Sequence, residues 1–169
     1  MNPTFTEIQK FNKWWHYVIA GLPVIITSTM FILVWLNVLK PEDDHSRSYG
    51  FITLLTVTSF TLISFMWFIS LKLKTTIDQE GIHVRFYGFP FCNKKISWED
   101  IKIISVIKYS PLSDYGGWGV RRSISGKGWC YNVSGEQGIK LMRANGKPFL
   151  IGTQQSDEAE KIINFYLKK

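Results

Sequence analysis

Two long uncharged stretches dominate the first half of the chain, at residues 17–39 and 48–71. Both are rich in Val, Ile, Leu and Phe, and neither contains a charged side chain. A helix that crosses a hydrocarbon core about 30 Å thick needs about 20 apolar residues. The pattern therefore predicts a membrane hairpin over residues 1–72, with spanning helices at about residues 16–39 and 49–71.

The surroundings of the first stretch favour this interpretation over two alternatives. Trp14 and Trp15 precede the stretch, and aromatic rings prefer the level of the lipid headgroups. Buried helices of a soluble protein would normally show a polar face. A cleaved signal peptide would need a shorter apolar core and a small-residue cleavage site, which residues 38–41 do not offer. Membrane lipids are thus the first predicted partner, and residues 1–13 are interpreted as a short polar lead.

Hydroxyl side chains lie inside both stretches. The second helix carries an arc of them about 140° wide, and the first carries a group midway along its length. They are Thr53, Thr56, Thr61 and Ser64 in the second helix, and Thr27, Ser28 and Thr29 in the first. Small hydroxyl residues let membrane helices approach and form hydrogen bonds, so we expect these faces to meet, within the hairpin or between copies. A polar transport path is the sharper alternative, but no charged residue supports it.

Charge predicts the orientation. Residues 40–47 form a short connector in which His45 is expected to be a solvated loop residue. The whole chain carries a net charge of +7, and all of this excess lies after residue 71, where sixteen Lys and Arg face nine Asp and Glu. Because Lys and Arg favour the cytoplasmic side, we expect a multi-pass protein of the inner cell membrane with both termini in the cytoplasm.

From residue 73 onward the pattern changes to short alternating runs separated by turns, which is typical of β-strands. Seven strands are predicted, at residues 73–77, 82–87, 94–96, 101–109, 129–133, 138–142 and 147–151. Asn145-Gly146 is a strong hairpin signal between the last two. An amphipathic helix follows at residues 157–167, with Ser156 as its expected N-cap. The fold class is α+β, and residues 73–169 form a bent or partly closed antiparallel sheet plugged by the C-terminal helix.

Residue types that commonly carry chemistry do not form a convincing site. Cys92 and Cys130 are expected to be buried or half-buried free thiols, with a disulfide as the alternative in an oxidising compartment. No zinc-ligand spacing, phosphate loop or triad order is present, so we predict no cofactor and no enzyme activity. Glu99 and Asp100 are interpreted as capping residues rather than a catalytic pair. The basic charge suits a membrane address, and no nucleic-acid partner is expected.

A glycine-rich segment is the most distinctive part of the second half. It runs Tyr-Gly-Gly-Trp-Gly-Val-Arg-Arg over residues 115–122. With Gly-Ile-Lys-Leu at 138–141, Asn-Gly-Lys at 145–147 and Phe-Leu-Ile-Gly-Thr at 149–153, the chain resembles small bacterial membrane proteins with two helices followed by a pleckstrin-homology-like (PH-like) domain. The resemblance implies a seven-stranded bent barrel with a capping helix over residues 73–169, and it implies no catalytic residues.

Two functions follow as expectations. The first is a membrane-anchored PH-like interaction module that presents a protein-binding or self-associating surface at the cytoplasmic face. The alternative is recognition of anionic lipid or its headgroup by a basic patch of the PH-like domain. The candidate surface for a ligand or lipid consists of Lys94, Lys95, Trp118, Arg121, Arg122 and Lys127.

Overall fold

The structure is a computed structural model that describes residues 2–36, 44–123 and 125–168. For residues 44–48 it describes the backbone alone. The chain divides into two compact units. One comprises Phe11–Ser70, and the other joins Met1–Lys10 to Leu71–Lys169. We call them the helical unit and the β unit.

The helical unit contains α1 (Trp14–Trp35) and α2 (Asp44–Ser70). Both contain a segment long and apolar enough to cross a membrane, as predicted. The predicted end of the first helix, at residues 37–39, and the start of the connector lie outside the described residues. The second candidate span, Tyr49–Ser70, lies close to the predicted residues 49–71, and helix α2 itself begins earlier, at Asp44. His45, predicted in a loop, therefore belongs to the first turn of a helix.

Hydroxyl and aromatic side chains hold α1 and α2 together. The Thr27 and Thr61 hydroxyl oxygens lie 3.2 Å apart, within hydrogen-bond distance. This confirms that the two hydroxyl faces meet, and it places the meeting inside one hairpin. The rings of Phe31 and Phe51, whose centroids are 5.0 Å apart, add a second contact between the helices.

The β unit contains nine strands and two further α-helices. The strands are β1 (Phe5–Lys10), β2 (Lys72–Asp78), β3 (Gly81–Tyr87), β4 (Asn93–Ser97), β5 (Ile101–Lys108), β6 (Gly119–Arg122), β7 (Trp129–Asn132), β8 (Gln137–Arg143) and β9 (Pro148–Gly152). The helices are α3 (Pro111–Tyr115) and α4 (Ser156–Leu167), and a 3-10 turn spans Trp98–Asp100. All seven predicted strands are present, whereas β1, β6 and α3 were not predicted.

The first sheet has the order β1-β2-β3-β4, and each neighbouring pair is antiparallel. Its first strand lies in the segment interpreted as a polar lead, so that interpretation was wrong. Phe5 pairs with Ile77 at one end of β1, and Lys10 pairs with Lys72 at the other. The helical unit is thus inserted between two strands that are hydrogen-bonded neighbours.

The second sheet has the order β5-β8-β9-β7-β6. Its strands β7 and β9 run parallel, with Cys130 opposite Leu150. The strands form two separate sheets, one of which contains a parallel pair, so the predicted bent antiparallel barrel is not confirmed.

The core of the β unit lies on the inner faces of the two sheets. Its largest fully buried side chains include Phe5, Leu73, Ile82, Phe86, Ile96, Ile139, Leu141, Leu150 and Ile151. Helix α4 packs against β1, β2, β5 and β8 through its buried Ala159 and Ile163, which confirms the C-terminal helix. Ser156 is its first residue rather than its N-cap, and the N-cap position is occupied by Gln155.

Candidate functional site

The six predicted surface residues do not form one patch. Lys94 and Lys95 lie on β4, Arg121 and Arg122 on β6, Trp118 just before β6, and Lys127 between β6 and β7. The structure brings Arg121 and Trp118 together, because the Arg121 Nε donates a hydrogen bond of 3.0 Å to the Trp118 carbonyl. The remaining four residues, all cations, have different neighbours in the structure.

Two of these cations already have acidic partners. The Lys95 Nζ lies 2.7 Å from a Glu80 carboxylate oxygen, and the Lys127 Nζ lies 2.5 Å from an Asp114 carboxylate oxygen. The Lys127 contact and the Ser110 backbone N–H hold the pKa of Asp114 below its usual value. Lys95 and Lys127 are therefore poor candidates for binding an external anion.

An apolar cavity of about 450 Å³ lies in the β unit where β4 comes close to the second sheet. We call it the groove. Its apolar lining consists of Phe91, Ile96, Val120, Trp129, Tyr131, Pro148 and Phe149. A volume of this size is within the range of ligand sites, which are mostly apolar with a few placed polar groups.

The sequence builds the groove from alternating strand residues. On β4, Ile96 faces inward and is buried, while Lys94 shares its face and stays exposed. Tyr131 and Phe149 form the floor, with ring centroids 5.0 Å apart in an edge-to-face contact. Burial and the neighbouring Cys92 thiol raise the pKa of Tyr131 well above its usual range, so its hydroxyl stays protonated at the bottom of the groove.

Two aromatic side chains stand at the rim. Phe91 is 92% exposed and Trp129 is 48% exposed. A benzyl side chain this open to water is unusual for a residue that borders an apolar cavity, and exposed aromatics next to pockets commonly anchor protein contacts.

Cations complete the lining. Lys94, Arg143 and Lys147 border the groove, and no aspartate or glutamate among the described residues does. The Arg143 Nε is buried and has no hydrogen-bond partner in the described structure. A buried donor without a partner is costly, so a carboxylate or phosphate oxygen bound there would be favoured.

A second, open cavity of about 770 Å³ continues from the groove. It shares Trp129, Lys147 and Pro148 with the groove and adds Arg122. Of the predicted surface residues, Lys94 therefore borders the groove and Arg122 borders the neighbouring cavity. Arg143 and Lys147 were not predicted as part of this surface, although both flank the predicted Asn145-Gly146 turn.

A different set of cations lies on the outer face of the first sheet. Lys10 is directly opposite Lys72, and Lys74 is directly opposite Arg85. We call these four residues the basic face. In the described part of the chain, none of the four has an acidic ion-pair partner. Like charges in directly opposed positions destabilise a sheet, unless something compensates them.

Cys92 borders the groove, and His83 lies on the same face of β3 as Arg85. His83, predicted to be an exposed strand residue, is half-buried, and its Nε2 lies 3.3 Å from an Asp78 carboxylate oxygen. Cys92 and Cys130 are free thiols, half-buried and buried respectively, as predicted. Within the described ranges, His, Cys, Asp and Glu form no group of three that could hold a metal ion. The absence of enzyme activity and of a nucleic-acid partner stay predictions.

No protein-family model matches the chain, and no curated protein shows a significant match to it. The resemblance to a PH-like domain therefore stays a prediction. What the structure establishes is coarser: two apolar helices, two β-sheets and a C-terminal helix.

Proposed function

We propose that this protein is a membrane-anchored interaction module whose β unit binds a partner protein at the groove. The observation that carries the proposal is the groove itself, in which exposed aromatic side chains and unpaired cations surround an apolar floor. The PH-like fold belongs to the same proposal, and the two sheets packed with α4 support it only in outline.

The helical unit acts as the anchor. Each candidate span has 22 residues, which at 1.5 Å per residue gives about 33 Å, enough for a hydrocarbon core about 30 Å thick. Large apolar side chains remain exposed along both helices, among them Ile19 at 66% and Phe60 at 71%. Apolar surface of this extent calls for lipid or protein around it.

The strand pairing supports a topology with both termini on one side. Because β1 and β2 are neighbours in one sheet, the chain leaves the β unit after Lys10 and returns to it at Leu71. Two spanning helices in between bring the chain back to its starting side. The excess of Lys and Arg in the β unit favours the cytoplasmic side of the inner cell membrane.

A photoreactive phenylalanine analogue at position 91 tests the module in intact membranes. Irradiation is expected to yield protein adducts of defined mass. Trp129→Ala should lower the yield of these adducts, because it removes the neighbouring rim side chain. The matched control places the analogue at Phe165 on α4, which is 45% exposed and lies outside the groove. An adduct of twice the chain mass identifies self-association. Absence of adducts at 91, or the same adducts at 165, would contradict the proposal.

Contact with anionic lipid is the second candidate function, and the basic face supports it. Lys10 lies four residues before α1 and Lys72 two residues after α2, so chain reach alone keeps both within about 14 Å of a helix end. Each cation near an anionic surface contributes about 1 kcal/mol.

Lysine labelling distinguishes this second function. Full-length protein in bilayers with anionic lipid should show slower labelling of Lys72 and Lys74 by an amine reagent than in zwitterionic bilayers. Lys161 on α4 is the control and should label equally in both. Equal labelling rates of Lys72 and Lys74 in the two bilayers would contradict contact between the basic face and anionic lipid.

A further inference from the structure

The groove also indicates what kind of segment it receives, given the proposed function on which this inference rests. We propose that the occupant is an extended segment of a partner protein, rich in carboxylates and bulky apolar side chains, that pairs with the free edge of β4. Strand edge, apolar floor and uncompensated cations each support one part of this assignment.

The strand edge supplies the backbone contacts. β4 is the last strand of its sheet and is hydrogen-bonded to β3 alone. Its first three residues, Asn93–Lys95, are exposed, and among the described residues β3 is its only sheet partner. An open edge presents unpaired N–H and C=O groups, which an extended peptide can take up as an additional strand.

The groove beside this edge supplies the apolar contacts. Ile96, Tyr131 and Phe149 are each at most 5% exposed and form a closed floor, while Phe91 and Trp129 stand free at the rim. In an added strand alternate side chains point to one face, so every second residue can enter the groove. Bulky apolar side chains at those positions would cover both rim aromatics.

The cations select the charge of the segment. Lys94, Arg143 and Lys147 line the groove without an acidic neighbour in the described part of the chain, and the Arg143 Nε is buried and unpaired. A carboxylate can accept hydrogen bonds from Nε and Nη of one guanidinium together. Asp or Glu side chains in the segment satisfy this donor, whereas a basic segment would leave it unpaired and repel all three cations.

A second copy of the chain is a weaker occupant. Its acidic run Asp157–Glu160 is part of α4 and is therefore not extended. An anionic amphiphile could fill the apolar floor and meet Arg143, but it would leave the β4 edge unused. The edge and the charge together favour a partner segment.

Synthetic probes test the assignment on the full-length protein in detergent or nanodiscs. The probes are a nine-residue peptide whose groove-facing alternate positions carry Leu and Glu in turn, with Ser at the positions between them, the same peptide with Lys for Glu, and laurate. We expect the Leu/Glu peptide to bind at least tenfold more tightly than the Leu/Lys peptide and to slow amide hydrogen exchange of residues 93–96. Arg143→Gln and Lys94→Gln should each weaken binding at least threefold, whereas Lys140→Gln, an exposed position on β8 outside the groove, should not.

Three results would overturn the assignment: equal binding of the two peptides, laurate binding without peptide binding, or peptide binding that leaves exchange of residues 93–96 unchanged. Lys94 is exposed, so its variant remains informative even if Arg143→Gln fails to fold. Adducts at position 91 that persist while the Leu/Glu peptide fails would retain the interaction module and remove only this occupant.

Discussion

The Glu7 carboxylate accepts a hydrogen bond of 2.7 Å from the hydroxyl of Thr153, a residue 146 positions later in the chain. Its other oxygen accepts a bond of 2.8 Å from the Gln154 backbone N–H, and the Gln9 side chain donates one of 2.6 Å to the Gly152 carbonyl. These three bonds tie β1 to the end of β9 and to the segment between β9 and α4. They make residues before the helical unit an integral part of the fold that follows it.

The pH dependence of folding should carry the signature of Glu7. Burial raises the pKa of Glu7 above its ordinary 4.5, and this outweighs the hydrogen bonds from Thr153 and Gln154, which lower it. A carboxyl whose pKa is raised by folding stabilises the protein below its unfolded pKa, and this contribution is lost as pH rises through the folded pKa. We expect the wild-type free energy of unfolding, relative to that of Glu7→Gln, to fall as the pH rises from the unfolded pKa of 4.5 through the raised folded pKa.

Chemical denaturation of both proteins in detergent at a series of pH values measures that difference. The Gln variant keeps the size and one acceptor of the side chain but cannot titrate. A difference that stays constant or increases with pH would show that burial does not govern this carboxyl.

Truncation of the chain to residues 73–169, which also removes the first residue of β2, should damage the β unit. A chain of residues 73–169 lacks Phe5, Glu7 and Gln9, and it exposes the edge of β2. Because Lys10 and Lys72 are directly opposed, an Asn-Gly turn can join them and replace the helical unit. The joined chain should unfold cooperatively, while the truncated chain should lose several kcal/mol or aggregate.

Thermal unfolding followed by circular dichroism compares the two chains. Equal midpoints for the joined chain and for residues 73–169 would show that β1 is dispensable.

An element could be predicted from the sequence where the residues of its apolar face are clearly apolar. The two helices were predictable because their uncharged runs admit few alternatives. β1 was not predicted because Glu7 and Gln9 occupy two of its three inward positions, while Ile8 points outward. The apolar pattern of this strand is therefore inverted. The fold makes these polar residues tolerable through partners 143 to 147 positions away, which no local pattern reveals.

The groove shows the same limit at the level of the site. Lys94 and Arg122 were recognised as surface cations, but Arg143 became part of the site only because the β8–β9 hairpin comes close to β4. The acidic partners of Lys95 and Lys127, Glu80 and Asp114, are distant from them in sequence, so no local pattern indicates these ion pairs. Nonlocal pairing decides which charges remain available.

Gly128 is required for a close backbone approach, and Gly126 provides a matched control. Both have positive φ, +84° and +79°. An added Cβ at Gly128 would lie 2.0 Å from the Pro148 carbonyl oxygen. A Cβ added at Gly126 would have no described heavy atom within 4 Å. We expect Gly126→Ala to cost about 1–2 kcal/mol from backbone strain and Gly128→Ala clearly more. Thermal denaturation of both variants decides this, and equal losses would mean that the Pro148 contact imposes no constraint.

The bond between Thr27 and Thr61 should stabilise the helical unit modestly. Interhelical hydrogen bonds in membrane proteins contribute about 0.6 kcal/mol on average. A double-mutant cycle of Thr27→Val and Thr61→Val, measured by unfolding in mixed micelles, should give a coupling of that size. Thr29 is the control because its hydroxyl, like those of Thr27 and Thr61, donates to a carbonyl of its own helix, but no described hydrogen bond joins it to α2. No coupling in the cycle, or an equal coupling between Thr29→Val and Thr61→Val, would remove the interhelical bond.

Flotation of proteoliposomes on a density gradient after an alkaline carbonate wash is the most direct test of a membrane anchor inserted into a β domain. The full-length protein should float with the vesicles and need detergent for release. The chain with an Asn-Gly turn in place of residues 11–71 should stay in the soluble fraction as a folded monomer. A full-length protein that stays monodisperse in plain buffer and does not float would contradict the membrane anchor.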